Sequence, residues 1–341
     1  MKTMSKIVRF HELGDADVLK IEDLRLEEPK PDEVRIDVEA IGLNRAEVMF
    51  RRGQYLEPPK LPSGLGYEAA GVVSAVGAGV SHVKVGDRVS TLPAFSMTEY
   101  GVYGETAIVP ARAVIPYPEN LTPEQAAAVW IQYLTGYLAL AEIGGIRAGQ
   151  HVLITAASSS TGVAGIQLAK QLGAEVIATT RTSKKKDLLL EHGADHVIAT
   201  EEEDLASHVR AIVGDKGVEV IYDPIAGGLL EAFAEVAAPR GKIVIYGLLE
   251  ADSTPMPWFH LLDKSLSIIG YTILDFFESN TRRTSPEPEK IDAAVAFLSA
   301  RLASGALVPL IAKTFPLAEI AEAHRFMESN RQIGKIVVTT R

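Results

Sequence analysis

The stretch LITAASSSTGVAGIQLAKQLGAEVIATTR, residues 153–181, runs from an apolar strand pattern through a turn of small residues into a helical pattern and a second strand. A helix that begins at such a turn presents unpaired backbone N–H groups and the positive end of its dipole, which together suit a phosphate. Ser159, Ser160, Thr161, Gly162 and Val163 carry those amides, and the hydroxyls among them can cap the helix or bond a phosphate oxygen directly. Where the second strand ends, Thr180, Arg181 and Ser183 occur, with no acid before Asp187. A site for a ribose 2′-hydroxyl usually ends that strand in Asp or Glu, whereas a 2′-phosphate calls for cationic and hydroxyl groups. The expected cofactor is therefore NADPH, with Arg181 offering a planar fork to the phosphate.

Other chemistries are closed by composition. The chain has no cysteine, which removes disulfides, thiolate nucleophiles and cysteine-based metal sites. Its eight histidines show no metal spacing, and no G-x-S-x-G surrounds Ser158–Ser160, so a hydrolase elbow is absent. A net charge of −10 argues against a nucleic-acid surface. The start, MKTMSKIVRFHELGD, lacks the pattern of a secretory signal, so a cytoplasmic protein is expected. The segment AAAVWIQYLTGYLALAEIGGI, 126–146, approaches membrane-spanning length, but Gln132, Thr135 and Glu142 interrupt it and it reads as a buried helix.

These groups must be positioned by two kinds of structure. At 341 residues the chain exceeds the size at which single cores stop growing, so two domains are expected. The first third holds short β-patterned runs between Gly and Pro turns (DEVRIDVEAIGLN, AAGVVSAVGAGVSHVKVGDRVS, GETAIVPARAVIPYP), the signature of a small barrel or sandwich. After about residue 125, HVLITAA, EVIATT, HVIAT, VEVIYDPI, KIVIYG and LSIIGYTI alternate with helical stretches near 162–172, 184–192, 202–213 and 228–238. That alternation predicts a parallel, doubly wound sheet of six strands, an α/β fold. The tail predicts a helix near 289–304, a strand at AKTFPL, a second helix and a last strand at GKIVVTT, which could return to the N-terminal barrel.

The blocks IGLNRAEVMFRRGQY, LPSGLGYEAAGVVSAVGAGVSHVKVGDRV, AAVWIQYLTGYLAL, GADHVIAT and GKIVIYG resemble, in order and spacing, the medium-chain dehydrogenase/reductase superfamily. Within it they are similar to the zinc-independent quinone oxidoreductase, or zeta-crystallin-like, group. The resemblance implies a GroES-like β-barrel catalytic domain, residues 1–125 and 268–341, interrupted by a Rossmann NADPH-binding domain, residues 126–267. It places Asn44, Tyr67 and Ile131 where zinc-dependent members carry Cys, His and Cys, so no metal is expected. A conjugated carbonyl or quinone is then an easier substrate than an alcohol, because neutral donors can carry the charge that develops on a remote oxygen. Asn44, Tyr55 and Tyr67 are the candidate donors; Asn44 could instead hold a turn, Tyr67 fill the space of the absent metal, and Tyr55 line a rim. Glu68 reads first as a buried structural carboxylate.

By the same resemblance Lys185 is a phosphate-binding lysine, Thr135 faces the nicotinamide, and Ile245, Tyr246 and Gly247 lie beneath it at the carboxyl end of a strand. The turn A-x-x-G-x-x-G falls on Ala156, Ser159 and Gly162, so a serine replaces its middle glycine. Tyr271 lies in IIGYTI, which matches an edge strand that passes near the nicotinamide and pairs across a homodimer interface. The function implied is NADPH-dependent transfer of hydride to a quinone or an α,β-unsaturated carbonyl. A 2-alkenal or enoyl-thioester reductase and a noncatalytic NADPH-binding protein are the alternatives. Bulky groups in FSMTEYGVY and in PMPWFHLL, part of the stretch 248–262, suggest a small hydrophobic acceptor, with no nucleic acid and no membrane as partners.

Overall fold

The computed structural model describes residues 4–250 and 254–340. Residues 1–3 of the N-terminal stretch, 251–253 of the 248–262 stretch and the last residue of the chain lie outside the described residues. The chain forms two compact units, Met1–Ile131 with Leu274–Arg341, and Gln132–Ile273.

The first unit begins with β1 (Met4–Arg9) and β2 (Lys20–Arg25), an antiparallel pair. Its organising element is β3 (Glu33–Gly42), whose alternation of buried and half-buried residues follows the period of two of a strand with one face in a core. Helix α1 (Arg45–Arg51) leaves directly from the end of β3. Strands β4 (Glu68–Val76), β5 (Arg88–Thr91), β6 (Thr106–Pro110) and β7 (Val114–Pro116) complete the antiparallel set. β4 and β6 both pair with β3, and register shifts at Arg35/Ile36 and Val38/Ala40 let the strand bend between them. At the entry to α2 (Pro123–Ala126), Thr122 caps Gln125 N–H and Pro123 fills the first helical position.

The long apolar segment after it is broken into α3 (Trp130–Tyr137) and a π-helical stretch, Leu138–Gly144. Among the described residues no helix is long and apolar enough to cross a membrane.

In the second unit strands and helices alternate strictly: β8 (His151–Ile154), α4 (Ser160–Gln171), β9 (Glu175–Thr180), α5 (Lys186–Glu191), β10 (His196–Ala199), α6 (Leu205–Val213), β11 (Val218–Asp223), α7 (Leu230–Val236), β12 (Ala237–Ile245), α8 (Trp258–Asp263) and β13 (Ser267–Gly270). All pairings are parallel, in the order β10-β9-β8-β11-β12-β13, which is the doubly wound order with its reversal between β8 and β11. Leu153, Ile177, Ile221 and Ile243, one from each of four neighbouring strands, are fully buried in a single core. Each such side chain contributes about 1.5–3 kcal/mol by leaving water.

The chain then returns to the first unit with α9 (Pro288–Ala303), β14 (Ile311–Pro316), α10 (Ile320–Glu328) and β15 (Lys335–Thr339). β15 runs antiparallel to β3, pairing Val337 with Gly42 and Val338 with Ile41, and the sheet reads β14-β15-β3-β4-β5-β7. The last strand thus brings Lys335 beside the point where β3 gives way to α1.

Candidate functional site

In the first unit the end of β3 carries a buried polar cluster. Lys335 Nζ, fully buried, donates to Glu68 Oε2 and, at 2.6 Å, to Asn44 Oδ1. Gly42 makes this approach possible: a Cβ there would lie 1.9 Å from the Ala127 carbonyl and 3.0 Å from Lys335 Cε. Glu68 also accepts from the backbone N–H of Ile131 at 2.8 Å, so its carboxylate is structural. Glu47 caps α1 by accepting from Asn44 N–H at 2.5 Å. Burial pushes its carboxyl up to about 7, against the opposing pull of Lys335.

Asn44 is held at this helix entry. Its amide nitrogen donates to Gly42 O at 3.3 Å and to Glu47 Oε1 at 3.2 Å, and its oxygen is taken by Lys335. The side chain is thus engaged by the scaffold at the helix entry, in keeping with the alternative of a turn-holding residue.

The phenols are arranged differently. Tyr67 is 1% exposed, and its hydroxyl is buried without a partner in hydrogen-bonding geometry, although the Tyr55 hydroxyl lies alongside. The two ring centroids are 6.4 Å apart, and Phe50 and Phe95 flank the pair at 6.4 and 5.6 Å. Burial holds both phenols well above their ordinary range, so they are neutral donors at any physiological pH. A buried hydroxyl without an acceptor costs about 1–3 kcal/mol, an arrangement that an incoming oxygen would relieve.

In the second unit Ser159 is the N-cap of α4, its Oγ accepting from Gly162 N–H at 3.0 Å. Ser160 and Thr161 open the helix, and Val163 is buried beneath it. Ala156, in the turn before the cap, has a φ of 44°, a left-handed conformation that a Cβ disfavours. Thr180 is buried at the end of β9, and Arg181 and Ser183 follow it, exposed. Ser183 N–H donates to Glu202 at 3.0 Å. Lys185 Nζ reaches Ser158 Oγ at 3.2 Å; burial first, and then the Arg181 charge, lower its pKa. Two cations therefore stand together at the end of β9 beside the helix entry.

At the carboxyl ends of β12 and β13 a second group converges. Tyr271 N–H donates to Ile245 O, and its hydroxyl to Thr135 O at 3.2 Å. Tyr246 stacks on Tyr222 at 4.1 Å, and both hydroxyls are buried without partners in hydrogen-bonding geometry. Gly247 passes so close to Pro224 that a Cβ would sit 2.9 Å from its carbonyl oxygen. Asp223 is tied by Thr155 and by the N–H groups of Ile225 and Ala226, and burial raises its carboxyl.

Several of these residues escape a sequence reading. Lys335 announces itself only as a lysine opening a Val/Ile-rich strand. Tyr222, Thr155 and Asp223 look like ordinary strand ends, and nothing local marks Glu47 as buried.

This combination of a barrel-type unit and a dinucleotide-type unit defines a medium-chain dehydrogenase architecture, and comparison with known proteins agrees. The profile of the alcohol dehydrogenase GroES-like domain matches residues 30–119, and that of the zinc-binding dehydrogenase family matches 161–287. The chain is 32% identical to the quinone oxidoreductase of Homo sapiens over 98% of both chains. It superposes on the Escherichia coli quinone oxidoreductase complexed with NADPH with a TM-score of 0.87, at 31% identity over 98% of this chain and 99% of that one. An NAD-dependent alcohol dehydrogenase gives the same TM-score at 29% identity, over 98% and 100%. The chain belongs to the quinone oxidoreductase family of medium-chain dehydrogenases/reductases, a family of oxidoreductases.

The zinc named by one profile does not suit the residues at the corresponding positions. Asn44 is consumed by the scaffold, Ile131 has no donor atom, and a neutral phenol at Tyr67 is a poor ligand. Among the described residues no group of three or more His, Cys, Asp or Glu side chains could share a metal ion.

Proposed function

We propose that the protein is an NADPH-dependent reductase that transfers hydride to a quinone or an α,β-unsaturated carbonyl without zinc. The observation that carries this reading is the Tyr67 hydroxyl: buried and without a partner in hydrogen-bonding geometry. Bound dinucleotide supplies a hydride. The chain's own work is to receive the charge this creates on the acceptor oxygen, and the neutral phenols of Tyr55 and Tyr67 are donors suited to it. For a quinone the balance is quinone plus NADPH plus a proton, giving hydroquinone and NADP⁺.

The second unit fits the dinucleotide in its chemistry. The N-terminus of α4, capped by Ser159 with Ser160 and Thr161 beside it, suits a pyrophosphate. Arg181 and Lys185 suit a 2′-phosphate, and the orphaned Tyr246 hydroxyl offers a further donor near Ser159. Thr135, Ile245, Gly247 and Tyr271, gathered at the strand ends, suit the nicotinamide half.

Steady-state NADPH oxidation with quinones, cyclic enones, alkenals and enoyl thioesters tests the reading. A preference for NADPH over NADH that Arg181→Ala and Lys185→Ala each reduce about tenfold supports it. Tyr67→Phe should lower kcat about 100-fold while leaving NADPH affinity in place. Tight NADPH binding with no turnover of any acceptor would instead favour the noncatalytic alternative.

A further inference from the structure

The first unit contains a small cavity walled by Phe95, Leu274 and Phe277 on its apolar side and by Glu57, Ser279 and Arg282 on its polar side. Its volume is about 10 Å³, room for a single water or one carbonyl oxygen. It adjoins the two phenols. The ring of Phe95 packs on Tyr67, and the charges of Arg282 and Glu57 both act on the Tyr55 hydroxyl.

The polar groups around it are unevenly satisfied. Glu57 is 4% exposed, and its two oxygens accept from Ser96 Oγ at 2.5 Å and from Thr281 Oγ1. Arg282 donates through one terminal nitrogen to Asp275 at 3.0 Å, and its backbone N–H is held by Ser279 Oγ at 3.0 Å. Its Nε is buried and has no acceptor. An arginine N–H can only donate, so the group it lacks is an oxygen acceptor. With the carboxylates of Glu57 and Glu278 in the same wall, an anionic group would be repelled and a neutral carbonyl oxygen would not.

We infer that Arg282 is a specificity-determining residue that receives the second carbonyl oxygen of a neutral dicarbonyl acceptor, such as a para-quinone, whose first oxygen lies at Tyr55 and Tyr67. This rests on the reductase reading and narrows it. A substrate with two carbonyls across one ring satisfies both orphaned donors, whereas a simple enone or alkenal satisfies only the phenols. Enoyl thioesters of anionic carriers meet the acidic wall.

The test uses the full chain with NADPH and compares 1,4-naphthoquinone with 2-cyclohexen-1-one. Arg282→Met should lower the ratio of kcat/KM for the quinone to that for the enone by about tenfold or more, the worth of one charged hydrogen bond. Arg282→Lys, which keeps a donor, should recover part of the ratio. An unchanged ratio in Arg282→Met overturns the inference, and so does a wild type that reduces the enone but not the quinone. Equal losses on both acceptors also overturn it, since they mark a merely structural arginine. If the wild type turns over neither acceptor, the reductase reading fails on its own. Quenching of intrinsic fluorescence by 1,4-naphthoquinone then decides: affinity weakened about tenfold by Arg282→Met supports the subsite, and equal affinity overturns it.

Discussion

Lys335 brings a positive charge into a fully buried place, and what makes this tolerable is the carboxylate of Glu68. Removing one partner of such a pair leaves a bare buried charge, at a cost of about 3–5 kcal/mol, while removing both can be nearly neutral. Lys335→Met is therefore expected to lower stability by that amount in urea titrations, and the double variant with Glu68→Gln to recover most of it. The cluster also fixes the entry to α1, so the single variant should disturb Asn44 and Glu47 as well. His324 behaves differently. It is fully buried, and burial, with the charges of Arg51 and Arg45 beside it, pushes its pKa down to about 3 from an ordinary 6.5. The unfolded chain gains a proton below pH 6.5 that the folded one refuses until about pH 3. The stability from a neutral His324 is thus complete above pH 6.5 and lost as pH falls, by about 2 kcal/mol at pH 5. Glu47, raised by burial, acts in the opposite direction, losing stability as pH climbs from 4.5 through 7. Urea midpoints at pH 7 and pH 5 separate the two: His324→Asn should remove about 2 kcal/mol of the acid-side loss while leaving the Glu47 contribution unchanged.

At the scale of elements, helix α4 shows what the turn sequence specifies. Ser159 takes the place of the middle glycine that the A-x-x-G-x-x-G resemblance implies, and the helix begins there because the serine caps it. Gly162 has no such latitude. A Cβ at that position would lie 2.6 Å from Ala157 Cα and 2.7 Å from Ala156 O, backbone atoms that cannot swing aside. Gly162→Ala should therefore push α4 off the end of β8, costing about 1–3 kcal/mol and weakening NADPH binding together. Ser159→Gly should keep the fold, and tight NADPH binding by that variant would show that the serine hydroxyl is dispensable. The contrast explains which features were legible. The six strands of the second unit could be read because each is a short Val/Ile-rich run between helices, and β8, β9 and β11 begin within two residues of the predicted runs. The capped entry of α4 and the cation at Arg181 could be read because their signals are local, whereas Lys185 was pointed to by the family resemblance. The Lys335–Glu68–Asn44 cluster was not legible, because it joins residues 267 and 291 positions apart through the pairing of β15 with β3. Arg282 was hidden for the same reason: its meaning depends on Tyr55 and Glu57, which belong to the other segment of the first unit.

For the whole molecule, β13 is one of the two edge strands of the second unit's sheet among the described residues, β10 being the other. β13 shows exposed or half-buried residues throughout, and α8 just before it exposes Trp258, Phe259 and Leu262 at 63, 74 and 78%. An unpaired edge beside a group of large apolar side chains invites association, and a two-fold axis closes such a contact so that it does not propagate. A homodimer in which β13 pairs antiparallel with its counterpart is the expected state, joining two six-stranded sheets into one. Light scattering at micromolar concentration should then give twice the chain mass. Phe259→Asp with Leu262→Asp should lower it to a single chain, because four buried carboxylates would face each other across the axis. These changes lie on α8 of the second unit, whereas Tyr55, Tyr67 and Arg282 belong to the first, so the acceptor ratio measured for Arg282 variants should be the same in the dissociated protein. A wild type that scatters as a monomer would remove the dimer, and the exposed face of α8 would then need a different partner.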